Sequence, residues 1–231
     1  MEYSSNAGGL AVFVKTPGVS PVKTRLAAQL GKEAALQFYN ASLAATAAAV
    51  AELGRHLPDL QTYWAVAEAS AMETAIWAKM PNLFQGEGDL GARLDRVYRQ
   101  LVARHGFACV MGADSPQLTV GQLVEAVTRS ASLAKTGFVI GETLDGGFYF
   151  FGSGREISPE VWTSIEYSCA TTGASLVHQL RKQAPVSFLD PSFDVDRAED
   201  LDLLAATAPH GLLPEQLRLL EWARTLVKNQ V

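Results

Sequence analysis

Short apolar runs alternate with longer segments of helical periodicity along most of this chain. Apolar runs that are bounded by glycine and proline are typical of strands buried in a parallel sheet. The clearest of them, 107–112, ends at a glycine that is followed at once by Ala113, Asp114, Ser115 and Pro116. Strands are predicted at 10–14, 60–67, 82–85, 107–112, 138–140, 147–151 and 186–189.

The segments between these strands carry apolar residues at three- and four-residue spacing, as amphipathic helices do. Leu94, Val97 and Leu101 fall on one face of such a segment, and Thr119 is expected to cap the next. Helices are predicted at about 31–53, 72–79, 90–104, 120–133 and 172–183, and twice after Arg197 with a break at 209–214.

Alternation of strands and helices predicts a three-layer α/β/α, Rossmann-like fold around a mainly parallel, mixed sheet. No repeat, low-complexity linker or step in composition divides the chain. One domain is therefore expected over 1–231, with its core at about 10–205 and C-terminal helices at 206–231.

Composition and charge narrow the function classes. The 231 residues carry a formal net charge of -5, which argues against a general nucleic-acid binder. Cys109 and Cys169 match no metal-binding spacing, which favours a reducing, cytoplasmic setting. The N-terminal segment lacks the layout of a secretory signal, and no stretch approaches the roughly 20 apolar residues of a membrane span.

Asp114 is the first candidate for chemistry, because it follows a buried strand. Ligands of open α/β sheets bind outside the carboxyl ends of the strands. A carboxylate at that place can share a divalent cation, Mg²⁺ or Mn²⁺, with a substrate phosphate. The structural alternative is an aspartate that caps the following helix.

A second candidate is the cationic loop after the first strand. Lys15, Lys23 and Arg25 surround two prolines and a glycine there, an arrangement that can hold a diphosphate near a helix N-terminus. Arg25 can bind two phosphate oxygens at once, whereas the lysines act as point charges. Neither the Walker nor the Rossmann glycine pattern is present, and a solvated loop with surface lysines is the alternative.

Two glycine-containing segments are weaker candidates. Asp145 precedes two glycines, which allow a close approach of backbone to ligand, although a plain hairpin turn is the stronger interpretation of that segment alone. Three glycines in 85–93 can let the backbone contact a nucleobase or sugar, with Gln85, Asp89 and Arg93 as nucleotide-binding candidates. The alternative is a turn in which Asp89 caps the next helix.

The last candidates are Asp194 and Asp196, which alternate along an extended segment. Residues two apart on such a segment point the same way, so both carboxylates can face one cation. The alternative role of Asp196 is to cap the helix that begins at Arg197, with Glu199 completing a capping box.

Five motifs in this order, K-x-P-x(4)-V-K-T-R-L, Q-G-x-G-D-L-G-x-R, G-x-D-S-P, D-G-G-F-Y and F-D-V-D, resemble a bacterial family of uncharacterised glycosyltransferase-A-like proteins. Its members are often called radical-SAM/selenodomain-associated transferases, within the nucleotide-diphospho-sugar transferase superfamily. The resemblance spans about 10–205. More distantly, the chain is similar to nucleotidylyltransferases that make molybdopterin guanine dinucleotide or activate phospholactate.

The resemblance implies a GT-A fold that binds a nucleotide-diphospho-sugar or NTP through a divalent metal. It implies that Asp114 holds the metal, with Asp194 or Asp196 as the second carboxylate and Asp145 as a third option. Lys15, Lys23 and Arg25 match the family's phosphate-binding loop. Ala113 departs from the family pattern, which usually has Thr or Ser beside the metal-binding aspartate.

The expected activity is metal-dependent glycosyl transfer from a nucleotide-diphospho-sugar, with Asp114, Arg25 and, as acceptor base, Asp145 as catalytic candidates. One alternative is nucleotidyl transfer from an NTP to a phosphorylated acceptor, with release of pyrophosphate. The other is a nucleotide-binding protein without turnover. The acceptor and the oligomeric state stay open, a homodimer being one option.

Overall fold

A computed structural model describes residues 8–229, so the segment 1–7, where no secretory signal is expected, lies outside the described residues. No helix within 8–229 is both long and apolar enough to cross a membrane. The strands are β1 (Gly9–Val14), β2 (Gln61–Val66), β3 (Asn82–Phe84), β4 (Ala108–Gly112), β5 (Phe138–Glu142), β6 (Phe148–Ser153) and β7 (Val186–Phe188). The helices are α1 (Thr24–Leu30), α2 (Lys32–His56), α3 (Leu90–His105), α4 (Val120–Ser132), α5 (Pro159–Thr163), α6 (Thr172–Arg181), α7 (Ala198–Ala206) and α8 (Pro214–Lys228).

The strands form one seven-stranded sheet in the order β3-β2-β1-β4-β6-β5-β7. Within this sheet β6 runs antiparallel to its neighbours, β4 and β5, and the other pairs are parallel. The predicted three-layer fold with a mainly parallel, mixed sheet is therefore confirmed. From β1 the chain winds to β2 and β3 on one side, and β4 then pairs with β1 on the other. The strand order thus reverses between β1 and β4, where open α/β sheets place their ligands.

Helices cover both faces of the sheet, and the buried strands are accordingly apolar at nearly every position. Leu10, Val12 and Val14 of β1 join an apolar cluster with residues of α2 and α4. Ala11 of β1 belongs to a second cluster on the other face, with residues of α3 and α6. Continuous apolar runs of this kind are what a sheet with helices on both sides requires.

A third apolar cluster lies outside the sheet and involves the C-terminal helices. Phe38 of α2, Leu26 of α1 and Leu219 of α8 meet there, together with residues of α7. Val195, between β7 and α7, is fully buried in the same cluster. The cluster therefore fixes the position of the two aspartates that flank Val195.

The structure departs from the sequence prediction in three elements. Residues 72–79 do not form an α-helix; they contain one short 3₁₀ turn, Ala75–Trp77, and a second, Ala69–Ala71, precedes them. Helix α1 precedes the predicted helix start, and Gly31, with φ 88°, separates the two helices. Helix α5 was not predicted, since five residues are too few to show helical periodicity.

The hairpin turn between β5 and β6 packs closely against the first turn of α6 and the segment before it. Gly146 has φ 90°, and its carbonyl accepts a hydrogen bond of 2.8 Å from the Gly173 N–H. A Cβ on Gly146 would lie 2.0 Å from the Ala170 carbonyl oxygen. This position therefore requires glycine both for its backbone conformation and for space.

We predict that Gly146→Ala lowers the free energy of unfolding by roughly 2–4 kcal/mol, because left-handed strain adds to a clash with backbone. Gly54→Ala is the control: Gly54 lies in α2, and a Cβ added there would have nothing within 4 Å. That change should stabilise by about 0.5–1 kcal/mol. Urea unfolding monitored by circular dichroism measures both, and equal effects of the two substitutions would contradict the packing described.

Candidate active site

A cavity of about 720 Å³ opens at the carboxyl ends of β1 and β4. Its volume lies within the range of about 300–1,000 Å³ that is common for small-molecule sites. Nine of the ten residues predicted for the site line it; Asp89 is the exception. The nine are Lys15, Lys23, Arg25, Gln85, Arg93, Asp114, Asp145, Asp194 and Asp196.

Lys23 lies at the centre of this group and joins two of the carboxylates. Its Nζ is 2.6 Å from Asp114 Oδ1 and 2.9 Å from Asp196 Oδ1. The Lys23 side chain is only 3% exposed, whereas those of Asp114 and Asp196 are 43% and 39% exposed. The ammonium is thus covered by protein while the two carboxylates face the cavity.

The backbone at Lys23 is arranged to direct the side chain inward. Lys23 precedes α1 in the left-handed conformation, with φ 47° and ψ 46°. A residue with a Cβ adopts this conformation at a cost of about 1–2 kcal/mol, so surrounding contacts must hold it. The ion pairs are one such contact, and the Phe38 ring, 5.7 Å from Nζ, is another.

The charges of this group influence one another strongly. Burial alone would lower the pKa of Lys23, but Asp114 and Asp196 outweigh it and hold the pKa above its usual range. Burial likewise opposes the charged form of Asp196, yet Lys23 keeps the pKa of that carboxyl below its usual value. Lys23 and Asp196 are therefore both ionised at neutral pH.

Asp194 is in a different electrostatic situation. Burial and then the neighbouring Asp114 raise the pKa of Asp194 above its ordinary value, against the opposing effects of Ser115 and Lys23. The Ser115 hydroxyl donates a hydrogen bond to Asp194 Oδ1. Asp194 therefore contributes less negative charge to the cavity than Asp196 does.

Hydrogen bonds hold the segment that carries these aspartates against the end of β4. The Val195 N–H donates to the Asp114 carbonyl at 3.0 Å. The Gln117 amide nitrogen donates to Ser192 Oγ at 2.9 Å and to the Phe193 carbonyl at 2.6 Å. Residues roughly 80 positions apart in the sequence are thus brought together as one side of the site.

Asp196 does not cap α7, and that part of the capping prediction is wrong. Arg197 is the residue that precedes the helix. The Asp200 carboxylate accepts hydrogen bonds from the N–H groups of Asp196 (2.8 Å) and Arg197 (2.7 Å). Asp200 therefore takes the capping role that was expected of Glu199, and the Asp196 carboxylate is left to pair with Lys23.

The other two cations of the loop are more accessible to a ligand. Arg25 is 46% exposed, with Nη1 3.6 Å from Asp196 Oδ2. Lys15 is exposed at the end of β1. The Tyr39 hydroxyl accepts a hydrogen bond from the Lys15 N–H and donates one to the Lys15 carbonyl, both at 2.9 Å. The backbone of Lys15 is thereby fixed while its ammonium group remains available.

Glu68 anchors the start of the cationic loop, a role that sequence patterns did not show. Its Oε2 accepts hydrogen bonds from the Thr16 N–H (2.9 Å) and the Thr16 hydroxyl (2.7 Å). Trp77 Nε1 in turn donates to the Thr16 hydroxyl at 3.2 Å. The only local signal is that Glu68 follows β2, whose carboxyl end lies beside that of β1.

Three residues of the segment 85–93 differ in role. Gln85 is buried, and its amide nitrogen donates to the carbonyls of Val14 (3.1 Å) and Ala65 (2.8 Å), which ties β1 to β2. Asp89 accepts a hydrogen bond of 2.9 Å from the Ala92 N–H and caps α3, so the capping alternative is confirmed. Arg93 lines the cavity, and its Nε donates to the Gly88 carbonyl at 3.0 Å.

Asp145 lies in the turn between β5 and β6, and the predicted hairpin is confirmed. Its Oδ1 accepts hydrogen bonds from the Thr143 hydroxyl (2.5 Å) and the Gly147 N–H (3.1 Å). The carboxylate is therefore held in a fixed orientation in the cavity wall. This geometry is compatible with either a turn-stabilising role or a role toward a ligand.

Ala113 belongs to the apolar layer beneath the site. It is 2% exposed, and its carbonyl accepts a hydrogen bond of 2.5 Å from the buried Ser42 hydroxyl. The small side chain at this position, where the related family usually has Thr or Ser, thus lies among core residues.

One wall of the cavity was not predicted from the sequence. It consists of Tyr167, Ser168 and Cys169, in the connection between α5 and α6, and Thr172, the first residue of α6. Ser168 is in the left-handed region, with φ 62°. Hydrogen bonds to Thr171 and Thr172 lower the pKa of the Cys169 thiol below its ordinary value of 9.0. The polar residues before the helix are the only sequence signal for this wall.

The carboxylates are suitable metal ligands by type, but their arrangement does not fit a divalent cation. Lys23 bridges the Asp114 and Asp196 carboxylates, and the Asp194 carboxylate accepts a hydrogen bond from Ser115, so all three already have partners in the protein. Within residues 8–229, no group of three or more His, Cys, Asp or Glu side chains is placed to hold a metal.

Comparison with known proteins places the chain in a family. Residues 46–169 match the family model described as "Uncharacterized protein conserved in bacteria (DUF2064)". The chain belongs to this family. No curated protein sequence matches the chain.

Solved structures of low sequence identity share the DUF2064 chain's fold. A putative nucleotide-diphospho-sugar transferase from Desulfovibrio desulfuricans G20 is 21% identical, with a TM-score of 0.80 over 96% of this chain and 97% of that one. The 4-diphosphocytidyl-2C-methyl-D-erythritol synthase from Anaerococcus prevotii DSM 20548 is 9% identical, with a TM-score of 0.54 over 85% and 96% of the two chains. At these identities the likeness establishes the nucleotide-diphospho-sugar transferase fold.

We predict that iodoacetamide alkylates Cys169 and leaves Cys109 untouched in the folded protein. Cys169 lines the cavity with a lowered pKa, whereas burial raises the pKa of Cys109 to about 12. The thiolate is the reactive form, so alkylation of Cys169 should reach half its maximal rate below its ordinary pKa of 9.0. Peptide mass spectrometry measures both sites, with urea-unfolded protein as the control; alkylation of Cys109 at a similar rate would contradict the placement of β4.

Proposed function

We propose that this protein is a transferase that takes a nucleotide-diphospho-sugar donor into the cavity at the ends of β1 and β4. The observation that carries the proposal is the cluster of charged side chains at this cavity. The exposed cations Arg25 and Lys15 lie beside the ion pairs that Lys23 forms with Asp114 and Asp196. This arrangement lies where the strand order reverses, the usual ligand site of such sheets. The shared fold described above is a second, weaker support.

The donor's diphosphate would lie against the cationic loop. Lys15 and Arg25 are the accessible cations, and a guanidinium can bind two phosphate oxygens at once. Lys23 adds no net positive charge for the diphosphate, because the two carboxylates paired with it outweigh its single charge. The nucleoside would extend toward Gln85 and Arg93, which line the same cavity.

The proposed reaction is displacement at the anomeric carbon of the sugar. A bond forms from the acceptor oxygen to this carbon while the bond to the phosphate oxygen breaks, and the nucleoside diphosphate departs with the electron pair. The transition state has oxocarbenium character, and negative charge develops on the departing phosphate. Fixed cations beside that phosphate stabilise the transition state more than the ground state.

Asp145 is our proposed base for the acceptor hydroxyl, since its carboxylate is held in the cavity wall by the turn. Dependence on Mg²⁺ or Mn²⁺ is a prediction of the family resemblance. We derive no step through such an ion, because Lys23 lies between the two nearest carboxylates.

Screening single donors tests the proposed reaction. We expect one class of nucleotide-diphospho-sugar to raise the unfolding temperature, by roughly 2–4 °C per kcal/mol of binding free energy gained. The same donor should slow Cys169 alkylation and release nucleoside diphosphate slowly to water when no acceptor is present. Differential scanning fluorimetry and chromatography of the nucleotides measure these effects.

Release of pyrophosphate from an NTP, without release of nucleoside diphosphate from any sugar donor, would instead establish nucleotidyl transfer. Donor binding with no turnover in the presence of extracts containing acceptors would favour a binding protein. Each of these results would contradict glycosyl transfer while leaving the position of the nucleotide site intact.

We predict that Arg25→Ala weakens donor binding by about 10–100-fold, because a charged hydrogen bond contributes about 1.5–3 kcal/mol. Arg55→Ala is the matched control, since Arg55 is 78% exposed in α2 and lies outside the cavity wall. Isothermal titration calorimetry with the donor from the screen measures both variants. Equal affinity of Arg25→Ala and wild type would contradict the proposed diphosphate position.

A further inference from the structure

We infer that the Lys23 ammonium is the resident cation of this site and occupies the place between Asp114 and Asp196 that a divalent cation would need. Its Nζ lies within hydrogen-bond distance of one oxygen of each carboxylate, at 2.6 and 2.9 Å. Mg²⁺ binds carboxylate oxygens at about 2.0–2.1 Å. An ion held by the same two oxygens would therefore have to lie against the ammonium, and two cations in one position repel each other.

Several contacts indicate that Lys23 is built into this position. Its side chain is 3% exposed, and its backbone is held in the left-handed conformation. Phe38 lies beside the ammonium, within the apolar cluster that also contains Val195. Withdrawal of Lys23 would have to break two ion pairs and expose part of this cluster to water, which is unfavourable.

Hydrogen bonds that do not involve Lys23 also position the two aspartates. Asp114 follows β4 and accepts the Val195 N–H at its carbonyl, and Asp196 is fixed through the Asp200 bond to its N–H. Replacement of Lys23 by a neutral residue would leave two carboxylates facing each other without a counter-charge. Such a pair has oxygen ligands of the type that Mn²⁺ and Mg²⁺ prefer.

The test is a titration of Mn²⁺ without any donor, in which electron paramagnetic resonance measures unbound Mn²⁺. We expect wild type to bind Mn²⁺ with a Kd weaker than about 1 mM, the weak end of the range for oxygen-ligand sites. Lys23→Met should bind Mn²⁺ at least roughly tenfold more tightly, and the double variant Lys23→Met/Asp114→Asn should lose this gain. Lys135→Met, at an exposed lysine outside the cavity wall, is the control and should match wild type.

Tight binding of Mn²⁺ by wild type, with no gain in Lys23→Met, would overturn the inference. Weak binding by both proteins would overturn it as well, because the position would then not be a cation site. Circular dichroism establishes whether Lys23→Met is folded. If Lys23→Met is not folded, Lys23→Ala replaces it in the Mn²⁺ titration. In addition, wild type should bind the donor equally in EDTA and in Mn²⁺, and loss of donor binding in EDTA would contradict the inference. The Mn²⁺ titration needs no donor, so its result is independent of the reaction proposed above.

Discussion

The bridge from Lys23 to Asp114 and Asp196 is the interaction on which the rest of the site depends. It joins the loop after β1, the end of β4 and the segment before α7, three parts of the chain that are far apart in the sequence. A single buried ammonium thereby links the two carboxylates that face the cavity. Loss of Lys23 would leave the two half-exposed carboxylates facing each other without a counter-charge, which is unfavourable.

The sheet supplies the geometry that makes this bridge feasible. Parallel strands β1 and β4 end at the same edge, so the first residues after them are neighbours although they are far apart in the sequence. The third apolar cluster then brings the Asp-rich segment to that edge through Val195. Packing thus sets the distances between charges, and the charges in turn hold a strained backbone at Lys23.

Sequence patterns predicted the sheet and most of the cavity because strand ends are marked by local signals. Asp114 and Lys15 follow apolar runs directly, and their place at the sheet edge follows from strand geometry. The partners of Lys23 were not predictable, because a left-handed residue and contacts between distant segments leave no local pattern. The role of Asp200, expected of Glu199, was missed for the related reason that several acidic residues near one helix start are equivalent in sequence.

A lysine, rather than a divalent cation, is inferred to lie between the two carboxylates when the site is in use. A crystal structure with bound nucleoside diphosphate, grown in Mn²⁺ and measured for anomalous scattering, tests this most directly. We predict no manganese peak between Asp114 and Asp196, with Lys23 Nζ still within about 3 Å of both carboxylates. A manganese peak in that position, with Lys23 displaced, would contradict it.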